Sequence, residues 1–94
     1  MAAQARAASD LMKALAHEGR LMILCHLVEG EKSVSELEDL IGARQAAVSQ
    51  QLARLRLEGL VSSRRDGKAI YYSIGDARVQ RLIATLHGIF CAGG

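Results

Sequence analysis

Apolar positions along the chain fall into two kinds of period. In residues 44–61, RQAAVSQQLARLRLEGLV, the residues Val48, Leu52 and Leu55 recur at i, i+4 and i+7, the stripe of a helix that buries one side. The opposite side carries Ala46, Ser49, Gln50 and Ala53, flanked by Arg54 and Arg56. Upstream, residues 2–16 are Ala-rich with Leu11, Met12 and Leu15 as the larger apolar groups, a helix that buries little alone and wants a partner. Residues 18–28, EGRLMILCHLV, are apolar almost all round from Leu21 onward, which places their helix in the middle of a domain. Glu29, Gly30 and Glu31 end it, with Gly30 suited to the C′ position.

Ser33 and Glu36 have the spacing of a capping box and open a short helix whose Val34, Leu37, Leu40 and Ile41 are expected to face inward, with Gly42 closing it. That helix, a short turn and the amphipathic stretch after it make a helix-turn-helix pattern. Beyond Gly59 the period changes. Residues 60–65 read as extended, Asp66-Gly67 as a two-residue hairpin turn, and residues 68–74 as a second strand in which Ile70, Tyr72 and Ile74 alternate with Ala69, Tyr71 and Ser73. Asp76 then caps a last helix over residues 77–91. Its apolar groups Val79, Leu82, Ile83, Leu86, Ile89 and Phe90 cover more than one stripe, enough to pack on the chain's own core and on a second copy. The expected fold is mainly α with a small β-hairpin, a winged helix-turn-helix in the order four helices, two strands, one helix, dimerising through the first and last helices.

Composition narrows this picture. Ninety-four residues without a repeat or a linker make one domain, residues 1–94. Half the residues are hydrophobic while aromatics are 3% and proline is absent, so Ala, Leu and Ile must supply the core, which favours helices. No run approaches the roughly 18–20 apolar residues of a membrane span. The first ten residues lack the basic start and apolar run of a signal peptide. The chain is expected to be soluble and cytoplasmic, away from membranes, with its two cysteines reduced.

Net charge is only +2, too mild to mark a nucleic-acid binder, but its distribution is uneven. Residues 44–68 hold Arg44, Arg54, Arg56, Arg64, Arg65 and Lys68 against two acids, whereas residues 29–39 hold five acids and one Lys. The reading that follows is a helix entering a DNA major groove. Gln45, Ser49 and Gln50 would touch base edges, and Arg44, Arg54, Arg64, Arg65 and Lys68 would hold phosphates, the last three around a basic wing tip. A solvated helix face beside a solubilising hairpin, and a module for protein contacts only, are the bland alternatives.

From Leu15-Ala16-His17-Glu18-Gly19-Arg20-Leu21, through the short helix and Ala47-Val48-Ser49-Gln50-Gln51-Leu52, to the Arg64 strand and Tyr72, the sequence resembles the ArsR/SmtB family of winged-helix repressors. The resemblance covers nearly the whole chain. It implies a homodimer that binds an imperfect palindrome of double-stranded operator DNA and releases it on meeting an inducer, with recognition helices roughly 34–36 Å apart. The family's metal-binding Cys-x-Cys falls here on Ser33-Val34-Ser35, and serine hydroxyls are poor ligands for thiophilic metals. Its Asp-x-His falls on Asp76-Ala77-Arg78, and the later ligands fall near Ile89 and Ala92. No metal and no cofactor is therefore expected, and His17, His26 and His87 share no ligand spacing. A metal-responsive repressor remains the alternative.

Two cysteines remain, Cys25 and Cys91. Their placement resembles the BigR/SqrR branch of the family, where a cysteine pair senses reactive sulfur species or oxidants. The resemblance implies that the two thiols become bridged, by a polysulfide link or a plain disulfide. A lone cysteine commonly only packs in a core. Arg20 and His26 lie near Cys25 in sequence and are the charges available to favour its thiolate. A cysteine-dependent redox enzyme would need a Cys-x-x-Cys or an anion-binding loop, and the chain has neither, so an enzyme is not expected.

Overall fold

The computed structural model describes residues 1–42 and 45–90, with the backbone alone at Gln45 and Ala46. Four helices come first: α1 (Ala2–Leu15), α2 (Glu18–Val28), α3 (Val34–Ile41) and α4 (Gln45–Leu57). Strands β2 (Val61–Asp66) and β3 (Ala69–Ile74) follow, then α5 (Ala77–Phe90). A further strand, β1 (Lys32–Ser33), lies between α2 and α3 and was not expected. It pairs antiparallel with β3 through Lys32↔Tyr72 and Ser33↔Tyr71, giving a three-stranded sheet in the order β1-β3-β2. Two residues carry no readable alternation, and their strand state comes wholly from the edge that β3 offers them.

Burial follows the predicted stripes. α2 supplies Ile23, Leu24 and Leu27 and packs against α3, α4, α5 and β3, the central position its all-round apolarity requires. Leu37, then Val48, Leu52 and Leu55, then Val79 and Ile83 bring α3, α4 and α5 onto it. Each side chain of this size, fully buried, contributes about 1.5–3 kcal/mol of transfer free energy. Leu40 departs from expectation: it is 51% exposed. On so short a helix Val34, Leu37 and Ile41 complete the inward stripe, and Leu40 falls outside it.

The hairpin turn also sits one residue later than expected. Asp66 pairs with Ala69, so the turn residues are Gly67 and Lys68. Gly67 has φ +63°, and among the described residues only glycines have a positive φ. An Asp66-Gly67 turn of the I′ type needs positive φ at both positions, whereas a glycine in the first position alone matches the II′ pattern. No helix among the described residues is long and apolar enough to cross a membrane.

Candidate DNA interface and thiol cavity

The helix-turn-helix is assembled from local signals. Ser33 Oγ accepts from the Glu36 backbone N–H at 3.2 Å, and Glu36 Oε1 accepts from the Ser33 N–H at 3.0 Å, closing the capping box that starts α3. Gly42 ends α3 in the left-handed conformation, its N–H on the Glu38 carbonyl at 2.7 Å. α4 then turns Val48, Leu52 and Leu55 inward, leaving Gln50, Ala53 and Arg54 exposed and Ser49 half-buried. Arg44 and the side chain of Gln45 lie outside the described residues.

The hairpin stands beside this helix. A groove of 360 Å³ between α4, the start of α3 and β3 is lined by Ser35, Ser49, Lys68 and Tyr71 among others. Tertiary packing thus brings together Ser49 of the proposed reading helix and Lys68 of the wing tip, 19 residues apart in sequence. Arg65 and Lys68 are exposed. Arg64 is engaged already: its Nε donates to Glu31 Oε2 at 2.8 Å and its Nη2 donates to Glu31 Oε1. The guanidinium also lies over the Tyr71 ring, 4.8 Å from its centroid, and Asp66 Oδ2 is 3.9 Å away. The hydrogen bond from Arg64 holds the Glu31 carboxyl below its usual range, and the same bond raises Arg64. Sequence reading missed Glu31. Its signal was the acid-rich run of residues 29–39 facing the basic run after it, and β1 is what sets the two side by side.

Cys25 is half-buried on α2, packed with Leu21 and Val28 against the core. It opens onto a mainly apolar cavity of 330 Å³ lined by Leu21, Met22, Cys25, His26, Glu29 and His87. His26 Nδ1 stands 3.6 Å from Glu29 Oε1. His87, which looked isolated in the sequence, reaches this cavity from α5. Arg20 does not line it, contrary to its candidacy as a thiolate partner: its Nη1 donates to the Ala14 carbonyl and its Nη2 pairs with Glu58 Oε2, both at 2.8 Å. An arginine five residues before the cysteine is displaced by about 500° around the helix, well over a quarter-turn from it, and packing assigned it other partners. Cys91 lies outside the described residues, so of the two thiols only Cys25 is placed. Among the described residues no three His, Cys, Asp or Glu side chains cluster to hold a metal ion. At the position of the family's Asp-x-His, Asp76 is bound by Arg78 Nη2 at 2.9 Å and caps α5.

α1 and α5 leave apolar surface uncovered. Met12 is 57% and Phe90 77% exposed, and Met12, Leu15, Leu21, Leu82 and Leu86 line a nearly all-apolar groove of 230 Å³ between these helices.

Comparison with known proteins agrees with this geometry. Residues 17–63 match the family model described as "Bacterial regulatory protein, arsR family". The chain is 47% identical over 92 residues to the biofilm growth-associated repressor of Xylella fastidiosa, covering 98% of this chain and 81% of that protein. It superposes on the transcriptional regulator HlyU of Vibrio vulnificus with a TM-score of 0.94 at 41% identity, covering 97% of this chain and 95% of that one. A Mycobacterium bovis protein described as a homodimeric winged helix-turn-helix DNA-binding domain superposes at a TM-score of 0.76 and 35% identity, covering 94% and 82%. These relatives are transcriptional regulators and not enzymes. The chain is a winged helix-turn-helix protein belonging to the ArsR family of bacterial regulators.

Proposed function

We propose that the protein is a homodimeric repressor that binds operator DNA while its cysteines are reduced and releases it when Cys25 and Cys91 are bridged. The observation that carries the DNA half is the groove shared by Ser49 of α4 and Lys68 of the wing; Gln50, the next residue of α4, is exposed. Gln45, Ser49 and Gln50 read base edges, the amide of Gln being suited to adenine. Arg44, Arg54, Arg65 and Lys68 hold phosphates, joined by Arg64 when a phosphate displaces Glu31. The Xylella fastidiosa relative is named a repressor, which supports the direction of control.

The sensing half is supported by the Cys25 cavity, which α5 reaches through His87; Cys91 follows His87 by four residues in sequence. Each cysteine thiolate takes the terminal sulfur of a hydropersulfide and releases the corresponding thiol. Attack of one cysteine persulfide on the other gives a trisulfide and expels hydrogen sulfide. Peroxide instead converts one thiol to a sulfenic acid and water, and the second thiol displaces another water to leave a disulfide. Either bond ties α2 to the segment after α5 and shifts the two recognition helices relative to each other. A 100-fold loss of DNA affinity requires only ~2.7 kcal/mol of difference between the two states.

The deciding experiment pairs intact-mass measurement with DNA affinity on the protein's own promoter region, after treatment with a persulfide donor and, separately, with peroxide. Cys25→Ser and Cys91→Ser are expected to bind as tightly as the parent and to ignore both reagents. Complete release of either variant by the donor overturns the two-thiol scheme. Gln50→Ala is expected to weaken promoter binding about tenfold, at the low end of one bidentate base contact, while leaving random-sequence binding unchanged.

A further inference from the structure

We propose that Arg20 is a strut that sets the attitude of the recognition helix relative to α1, a positioning role that builds on the DNA-binding reading above. α1 has few attachments to the rest of its protomer. Leu15 alone is buried, Leu11 and Ala14 pack partly on the core, and nearly all the residues before them are exposed. The direction in which α1 leaves the domain is therefore decided at its last turn.

Arg20 acts there. The Ala14 carbonyl belongs to the last four of a helix, which have no partner within it. Arg20 Nη1 donates to that oxygen at 2.8 Å, across the corner between α1 and α2. The other terminal nitrogen, Nη2, pairs with Glu58 Oε2 at 2.8 Å. Glu58 is held to the end of α4, its N–H donating to the Arg54 carbonyl at 3.1 Å. One planar guanidinium thus bonds the end of α1 and the end of α4 at once. The Arg20 side chain is only 14% exposed, so solvent screens this junction less than it would a surface pair. A lysine ammonium, a single point charge on a flexible stem, does not reproduce two bonds from a rigid fork. In a dimer built on α1, the angle between α1 and α4 sets where each recognition helix meets the next turn of DNA, so loosening it costs affinity without removing any DNA contact.

The test uses nitroxide labels at Ala3→Cys and Ala53→Cys, both exposed, in a Cys25→Ser, Cys91→Ser background diluted with unlabelled protein, so that only distances within one protomer are read by electron double resonance. The parent is expected to give a narrow distribution. Arg20→Ala, Arg20→Lys and Glu58→Ala should at least double its width, and Glu58→Gln, which keeps an oxygen for the guanidinium, should restore it. Glu58 is surface-accessible, so its variants keep the proposal testable even if Arg20→Ala fails to fold. Unlabelled Arg20→Lys and Glu58→Ala should lose about tenfold in affinity for the promoter region while binding random DNA as the parent does. Parent-like widths in Arg20→Lys and Glu58→Ala overturn the proposal, as does broadening that Glu58→Gln does not reverse or that leaves promoter affinity intact. A parent with no preference for the promoter defeats the DNA reading instead, while the label widths still decide the strut.

Discussion

Asp76 shows how much one carboxylate can organise. Its Oδ1 accepts from the backbone N–H groups of Arg78 at 2.8 Å and Val79 at 3.4 Å, and its two oxygens take the Arg78 guanidinium. The side-chain bond from Arg78, then the backbone bonds, lower its pKa from an ordinary 3.8 to about 2. A carboxyl depressed on folding contributes stability that is complete above its unfolded value, near pH 4, and that is lost as pH falls through the folded value. Asp76→Ala should therefore lower the melting temperature by several degrees at pH 7, and thermal scans between pH 7 and pH 2 should show the two curves converging at the acid end. Asp76→Asn, which keeps a capping oxygen, should lose less. The carboxylate of Asp76 thus serves both as the cap of α5 and as the partner of Arg78.

Among the elements, the wing is where geometry changes a sequence-based assignment most. The sequence groups Arg64 with Arg65 and Lys68 as a phosphate ligand, yet in the free protein it is bound by Glu31 and stacked on Tyr71. The pair lies at the surface, where such bonds contribute little to stability, so a DNA phosphate competes for the guanidinium on favourable terms. Glu31→Ala should leave Arg64 available. Promoter affinity should rise several-fold at moderate salt, while the slope of log affinity against log salt stays that of the parent, because Arg64 meets a phosphate in both complexes. A salt titration of both proteins on the same duplex makes the comparison. Glu31 precedes β1, which continues from α2 and Cys25, so the wing and the thiol-bearing helix are joined by one short edge strand.

At the scale of the whole molecule, the described residues set apart the α4–wing face, the Cys25 cavity between α2 and α5, and the apolar face of α1 and α5. The last is the surface on which a second copy is expected. Met12→Asp or Phe90→Asp, placing a charge on that face, should shift sedimentation to a monomer, with unchanged circular dichroism and a large loss of promoter affinity as two half-sites cease to be bound together.

Much of this was legible in the residues themselves. The order of helices and strands, the capping box at Ser33 and Glu36, and the inward stripe of Val48, Leu52 and Leu55 depend on neighbours a few positions away, and short-range periodicity and capping report such relations directly. The amide-bearing face of α4 followed from that stripe. Only the tertiary structure could decide that Glu31 holds Arg64 from 33 residues away, that His87 joins Cys25 at one cavity, that Arg20 turns from the thiol to α1 and α4, and that two residues at Lys32 become a strand. These depend on which distant surfaces pack together, and no local period encodes that.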